Sequence, residues 1–268
     1  MTKSHFVAAP TDGCAWVTGA SSGIGRQLSI ELARSGWSVA VTARSADSLD
    51  ELAKEAAGLA GSIHPFAGDV TDTAQMARHC RDIGNRLGGI ALVVANAGIY
   101  LPQDGLSASA DAFRTSFDVN LMGTVNTLLP VIDIMKSTGR GQIAVVSSVA
   151  GYAGLPTSAA YGATKAGLIN LVESLKFDLD PAGIRIQLIS PGFVDTPATE
   201  SNPFPMPYLI SVDEAVAEIL KGLRHKTRFE IAFPAAFVRR LKLLQLLPYR
   251  VYFPLVARAT GWTGKKTG

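Results

Sequence analysis

Cysteine is nearly absent: Cys14 and Cys80 are the only two in 268 residues. That excludes a disulfide framework and leaves no metal-ligand spacing, so no metal is expected. Both read as small buried hydrophobes. Charge is also scarce, at 18% of residues against 47% hydrophobic. Such a chain has ample core material and little from which to build a disordered region. No uncharged apolar run reaches the roughly 18 residues that a membrane span needs. The first 13 residues are polar and lack the apolar segment of a secretory signal. A cytoplasmic chain is the expectation. Acids are missing altogether from one region. Residues 231–268 hold seven bases (Arg239, Arg240, Lys242, Arg250, Arg258, Lys265, Lys266) and no acid, whereas the first 230 residues hold 18 bases and 22 acids. A nucleic-acid reader carries its basic stripe along the folded body. Here the bases sit in a tail, and no nucleic-acid partner is expected.

What the chain does have is alternation. Short apolar runs at 14–18, 38–42, 62–66, 90–95, 142–147, 184–190 and 229–233 read as strands. Between them lie helical patterns following the glycines at 19–25, then at 46–57, from Thr71 or Thr73 to 87, at 111–136, 158–179 and 212–224. Ile90 to Ala95 is apolar throughout, as in a strand buried on both faces. Strand–helix alternation from end to end predicts an α/β fold: one doubly wound, Rossmann-like parallel sheet of about seven strands, with helices on both faces. No repeat, low-complexity segment or linker interrupts it. The catalytic domain is placed at residues 1–235, with a basic, apolar helical extension at 236–268.

Gly19, Gly23 and Gly25 fall between a predicted strand and a predicted helix. In that context glycines allow a tight turn and let the backbone approach a pyrophosphate at the helix N-terminus. The spacing here is G-x3-G-x-G. Tyr161 and Lys165 lie four residues apart, hence on one helix face, one turn from each other. A free phenol, with a pKa near 10, is a poor acid–base group at neutral pH. An ammonium one turn away is expected to lower that value and let the pair pass a proton to or from a substrate oxygen. The plain alternative is a surface lysine covering a half-buried tyrosine.

Thr18-Gly19-Ala20-Ser21-Ser22-Gly23-Ile24-Gly25 resembles the cofactor loop of the short-chain dehydrogenase/reductase family. Further matches follow in family order over residues 13–235. Asp69-Val70 resembles the acidic pair that contacts adenine. Asn96-Ala97-Gly98 resembles the end of the NNAG motif, with Ala95 in place of its first Asn. Asn120 matches the catalytic asparagine, and Ser148, thirteen residues before Tyr161, matches the catalytic serine. Pro191-Gly192, with Val194 and Thr196, matches the segment that holds the nicotinamide. The resemblance implies hydride transfer coupled to proton transfer at an oxygen. It makes Tyr161 the acid or base and has Lys165 bond the nicotinamide ribose. Ser148 would hold the substrate oxygen, and Asn120 would anchor a water that relays the proton through Lys165. Family members usually pair through their fourth and fifth helices, which implies a homodimer or homotetramer.

An acid about twenty residues after the last loop glycine would bind the ribose 2′-hydroxyl of NAD. Arg44 stands there instead, followed by Ser45. A guanidinium suits a 2′-phosphate, and the resemblance also links Arg at this position with NADP(H). Ser22 occupies a position where many NADP-preferring relatives carry a base. The segments expected around the substrate are 100–102, 151–156 and 193–210, rich in aromatic, aliphatic and proline residues and without a Lys or Arg. Pro203, Pro205 and Pro207 would stiffen the last of these as a lid. A lipophilic carbonyl or alcohol is the expected substrate, with a 3-oxoacyl thioester as runner-up. A catalytically idle nucleotide sensor or scaffold is the alternative of another class. The tail from Phe237 to Leu247 reads as a helix ended by Pro248 and followed by Tyr249, Tyr252 and Phe253. Either it packs on the domain or a partner subunit, or it lies on a membrane surface as a peripheral anchor.

Overall fold

The computed structural model describes residues 6–200 and 206–262. Seven parallel strands form one sheet: β1 (Cys14–Thr18), β2 (Ser38–Thr42), β3 (Ser62–Pro65), β4 (Ile90–Ala95), β5 (Gly141–Val146), β6 (Ile184–Pro191) and β7 (Glu230–Phe233). Their spatial order is β3-β2-β1-β4-β5-β6-β7. The order reverses between β1 and β4, so their carboxyl ends open a crevice where the chain departs in opposite directions. The expected fold is the one observed.

The central strands β1, β4, β5 and β6 are buried on both faces, and their alternate residues feed two cores. Ala15 and Val17 of β1 join the core under α1 (Gly23–Arg34), α2 (Ala46–Glu55) and α8 (Val212–Arg224), through Leu28, Leu32, Leu49, Leu52 and Ile219. Cys14 and Trp16 face the other way, into the core under α3 (Thr73–Leu87), α5 (Gly123–Thr138) and α6 (Ala159–Leu179), with Met76, Leu128, Met135 and Leu168. Cys14 and Cys80 are free and buried. Burial pushes both thiols up to about 12, so they behave as the hydrophobes expected.

Three departures bear on function. The helix expected over 111–136 is α4 (Ala110–Phe117) and α5 joined by a π turn at Asp118–Met122 that contains Asn120. Such a turn admits one extra residue and re-aims the side chains beside it. A short helix, α7 (Pro197–Glu200), lies in the expected lid, while residues 201–205, Pro203 and Pro205 included, fall outside the described residues. The tail holds two helices, α9 (Ala235–Gln245) and α10 (Tyr249–Ala259). Pro248 ends the first and, as N-cap, opens the second, where its missing N–H costs nothing. Lys265 and Lys266 also lie outside the described residues.

Candidate active site

The loop after β1 is pinned by backbone. Gly19 N and Ala20 N donate to Thr42 O at 2.8 and 3.3 Å. Gly19 and Gly23 sit at φ +69° and +53°, the left-handed region that favours glycine. A Cβ on Gly25 would come within 2.3 Å of Gly19 O, so the helix can approach the strand only without one. The loop after β4 is tied to it: Asn96 Nδ2 donates to Thr18 O (3.0 Å) and Gly19 O (3.1 Å). Thr18 Oγ1 accepts from Asn96 N and Ala97 N at 3.1 and 3.2 Å. Ser22 is the N-cap of α1 but makes no side-chain cap bond, which leaves the first amides of the helix turned to the cleft.

This loop forms one wall of a cleft of about 510 Å³ at the crevice. Gly19, Ser21, Ser22, Gly23 and Ile24 lie along it, followed by Arg44, Asp69 and Val70. Asn96, Ala97 and Gly98 line the floor, and Pro191, Gly192, Val194 and Thr196 the far side. Arg44 is exposed and forms no ion pair among the described residues. Asp69 Oδ1 accepts from Thr71 N and Oγ1, both at 2.9 Å, which turns the chain sharply after the third strand. Asn126 of α5, not singled out in the sequence, fixes Val70: its Nδ2 donates to Val70 O at 2.9 Å and its Oδ1 accepts from Thr73 at 2.9 Å. Thr199, also missed, donates to Val194 O at 2.7 Å and accepts from Thr196 N at 3.1 Å.

Ser148, Tyr161 and Lys165 share the cleft wall. Ser148 caps a short 3-10 turn at Val149–Gly151, with its Oγ accepting from Ala150 N at 3.1 Å. Its Oγ donates to Pro191 O at 3.4 Å. Burial raises the Tyr161 phenol above its usual value, the nearby Ser148 hydroxyl opposes this, and neighbouring Tyr100 adds to it. The Tyr100 ring meets Tyr161 edge-on at 5.0 Å. Lys165 Nζ stands 5.6 Å from the Tyr161 ring centre and donates to Val146 O at 2.9 Å. Burial brings Lys165 down to about 8. The lowering of Tyr161 expected from its spacing to Lys165 is not seen: the net shift is upward, led by burial, and Lys165 is not among its causes. The neighbouring serine is sorted out by geometry: Ser147 Oγ donates to Lys165 O at 2.8 Å and so anchors the helix.

Asn120 is fully buried and lies behind the cleft wall. Its Oδ1 accepts from Ile99 N at 2.7 Å, and its Nδ2 donates to Ile99 O at 3.0 Å and Thr164 Oγ1 at 3.1 Å. It thus ties the loop after β4 to the turn of α6 that presents Lys165. A Cβ on Gly98 would lie 3.3 Å from Asn120 Oδ1 and 3.5 Å from Lys165 Nζ, so glycine keeps the passage between them open.

On the substrate side, Tyr100 and Leu101 line the cleft, joined by Thr115 of α4 and Val119 of the π turn, which the sequence did not single out. Residues 151–156 do not line it. They pass instead beneath the tail: Gln245 Nε2 donates to Tyr152 O at 2.8 Å and Tyr252 OH to Gly154 O at 2.7 Å. Strained backbone gathers here, with Thr157 and Tyr208 at φ +59° and +61°.

A glycine cradle, an open helix N-terminus and a long cleft ending at a Ser–Tyr–Lys cluster fit an extended dinucleotide. No group of three or more His, Cys, Asp or Glu able to hold a metal occurs among the described residues. Residues 13–204 match the short chain dehydrogenase family model. The chain belongs to that family, whose members are oxidoreductases that bind nicotinamide cofactors. It is 37% identical over 234 residues to an uncharacterised oxidoreductase of Myxococcus xanthus, covering 87% of this chain and 92% of the relative. A 3-oxoacyl-acyl-carrier-protein reductase of Thermotoga maritima is 35% identical over 187 residues, 70% of this chain and 76% of that protein. Among solved structures, an alcohol dehydrogenase of the archaeon Thermococcus sibiricus, complexed with 5-hydroxy-NADP, superposes with a TM-score of 0.74 at 29% identity. It covers 82% of this chain and 95% of that one.

Proposed function

We propose that the protein is an NADP(H)-dependent oxidoreductase that interconverts a carbonyl and an alcohol on a lipophilic small molecule. The observation that carries this reading is one cleft lined both by Arg44, unpaired among the described residues, and by Ser148, Tyr161 and Lys165. When bound, NADPH supplies the hydride that goes to the carbonyl carbon. Tyr161 gives its phenolic proton to the oxygen as charge builds there, and Ser148 holds that oxygen with a hydrogen bond. Lys165, at about 8 and so mostly charged at neutral pH, stands beside the ring to stabilise the phenolate. Oxidation of the alcohol runs the same transfers in reverse. Arg44 offers a bidentate donor set to a 2′-phosphate. Asp69 and Val70 receive the adenine end, and the Pro191–Gly192 turn with Val194 and Thr196 borders the nicotinamide end. The cleft's substrate end is built from Tyr100, Leu101, Thr115 and Val119, without a base to select a phosphate or carboxylate.

A panel of lipophilic ketones with NADPH, followed by loss of its absorbance, tests the reading. Turnover of hydrophobic ketones with NADPH favoured over NADH is the expected result. The similarity to the Thermotoga reductase supports a second reading, a 3-oxoacyl thioester as substrate. Turnover of an acetoacetyl thioester well above the ketones would replace the first reading with this one. Nucleotide binding without turnover of any carbonyl would point to a sensor or scaffold. We further propose a cytoplasmic homo-oligomer paired through α4–α5 and α6.

A further inference from the structure

Large exposed hydrophobic side chains are unevenly spread. Of fifteen among the described residues, seven fall between Leu243 and Trp262. Leu246 is 79% exposed, Tyr249 77%, Leu243 65% and Phe253 58%. Helix α10 buries only Tyr252 and Val256, one turn apart. Tyr249 and Phe253 stack on one flank of that buried line at 5.6 Å, and Val251 and Leu255 are exposed on the other flank. Arg250 and Arg258 stand opposite the buried line and are exposed, as is Arg239 on α9. None of these three forms an ion pair among the described residues, and residues 231–268 contain no acid.

This surface packs on the segments that follow β5 and β6. Gln245 and Tyr252 hold the backbone of residues 152–154. Phe237 of α9 stacks on Phe193 at 5.6 Å and on Tyr208 at 5.7 Å, both in the segment after β6. Tyr208 and Leu209 extend the exposed apolar surface toward the lid.

We propose that α9 and α10 form a docking surface for an anionic lipid bilayer. Apolar and aromatic side chains interleaved with uncompensated guanidiniums complement an interface that is apolar below and negatively charged above. A second copy fits the same surface badly. An isologous contact would bring identical arginines together with no acid to receive them. The proposal concerns where the enzyme sits and does not depend on which carbonyl it reduces.

The test is flotation of the full chain with phosphatidylcholine vesicles, with and without phosphatidylglycerol, at low and high salt. The expected result is flotation with the anionic vesicles at low salt, weakened by salt. Leu246→Glu with Tyr249→Glu alters two side chains that face solvent and should leave the melting curve unchanged while weakening flotation by about tenfold or more. Arg250→Glu with Arg258→Glu should remove the preference for anionic lipid. Failure of the full chain to float with anionic vesicles at low salt overturns the proposal. So does equal flotation of parent and both double variants. A dimer or an acidic-protein complex that these substitutions break, in a protein that does not float, would likewise overturn it in favour of a protein partner.

Discussion

Tyr161 holds its proton tightly, because burial raises its pKa and Tyr100 adds to the effect. That suits a general acid waiting for an oxygen to become basic. The nearby Ser148 hydroxyl opposes that rise, and Lys165 beside the ring favours the phenolate once the proton leaves. Tyr161→Phe removes only the hydroxyl and keeps the ring packed against Tyr100. Turnover is expected to fall by about 10²–10⁴, the usual size of a general-acid contribution, with nucleotide affinity largely kept. Parent-like turnover would remove Tyr161 from the mechanism. Arg44 works at the other end of the cleft. Arg44→Asp replaces a charge-assisted donor pair with a carboxylate that repels a 2′-phosphate. NADPH binding should weaken sharply while NADH binding holds or improves, as read by titration of both nucleotides. Equal loss for both would make Arg44 structural. These residues were legible in the sequence because their chemistry fixes their spacing. Asn126 and Thr199 were not. Each acts through a backbone carbonyl that only the fold brings near, Val70 O for one and Val194 O for the other.

At the scale of elements, β7 and α9 meet at Glu230. Tyr152 OH donates to its Oε1 at 2.5 Å and Ser190 Oγ at 3.0 Å, while Lys242 bonds its other oxygen. One carboxylate therefore joins the loop after β5, the end of β6 and the tail. Burial works to raise its pKa, but the bonds from Lys242, Tyr152 and Ser190 outweigh it, and the net value lies below 4.5. A depressed carboxylate contributes stability above its unfolded value and loses it as pH falls through the folded one. The contribution should be full above about pH 4.5 and fade below. Glu230→Gln should cost about 1–2 kcal/mol, modest because the group is partly exposed. That corresponds to a drop of roughly 2–8 °C in Tm at neutral pH. The difference between variant and parent should shrink in acid, and a constant difference down to low pH would show that the charge is not what matters. Sequence reading reached β7 and α9 separately but could not join them, since Tyr152 and Glu230 lie far apart in the chain. Helix α10 was hidden for a related reason. Its segment is aromatic, carries Pro254, and has only Tyr252 and Val256 on its buried side, so no clear periodic stripe marks it. The π turn at Asn120 was invisible because one extra residue in a helix leaves its hydrophobic pattern almost intact.

Over the whole molecule, the seven strands were legible because buried parallel strands must be apolar and short connections must carry glycine. What the molecule leaves uncovered is equally specific. The face that carries α5 and α6 exposes Leu129 at 56% and Phe177 at 66%, although both helices bury their inner sides completely against the sheet. Phe117 and Met122, at the junction of α4 and α5, are also exposed. A two-fold contact would pair each of these side chains with its own copy's face, so every residue counts twice. Leu129→Asp with Phe177→Asp would then remove four buried side chains per interface. At about 1.5–3 kcal/mol each, that weakens association by at least about 10⁴-fold. Because both side chains face solvent in the single chain, the variant should fold and melt like the parent. Sedimentation at micromolar concentration should show an oligomer for the parent and a monomer for the variant. A parent that sediments as a monomer would leave the exposed face without this role. An oligomer that survives both substitutions would move the contact elsewhere on the molecule.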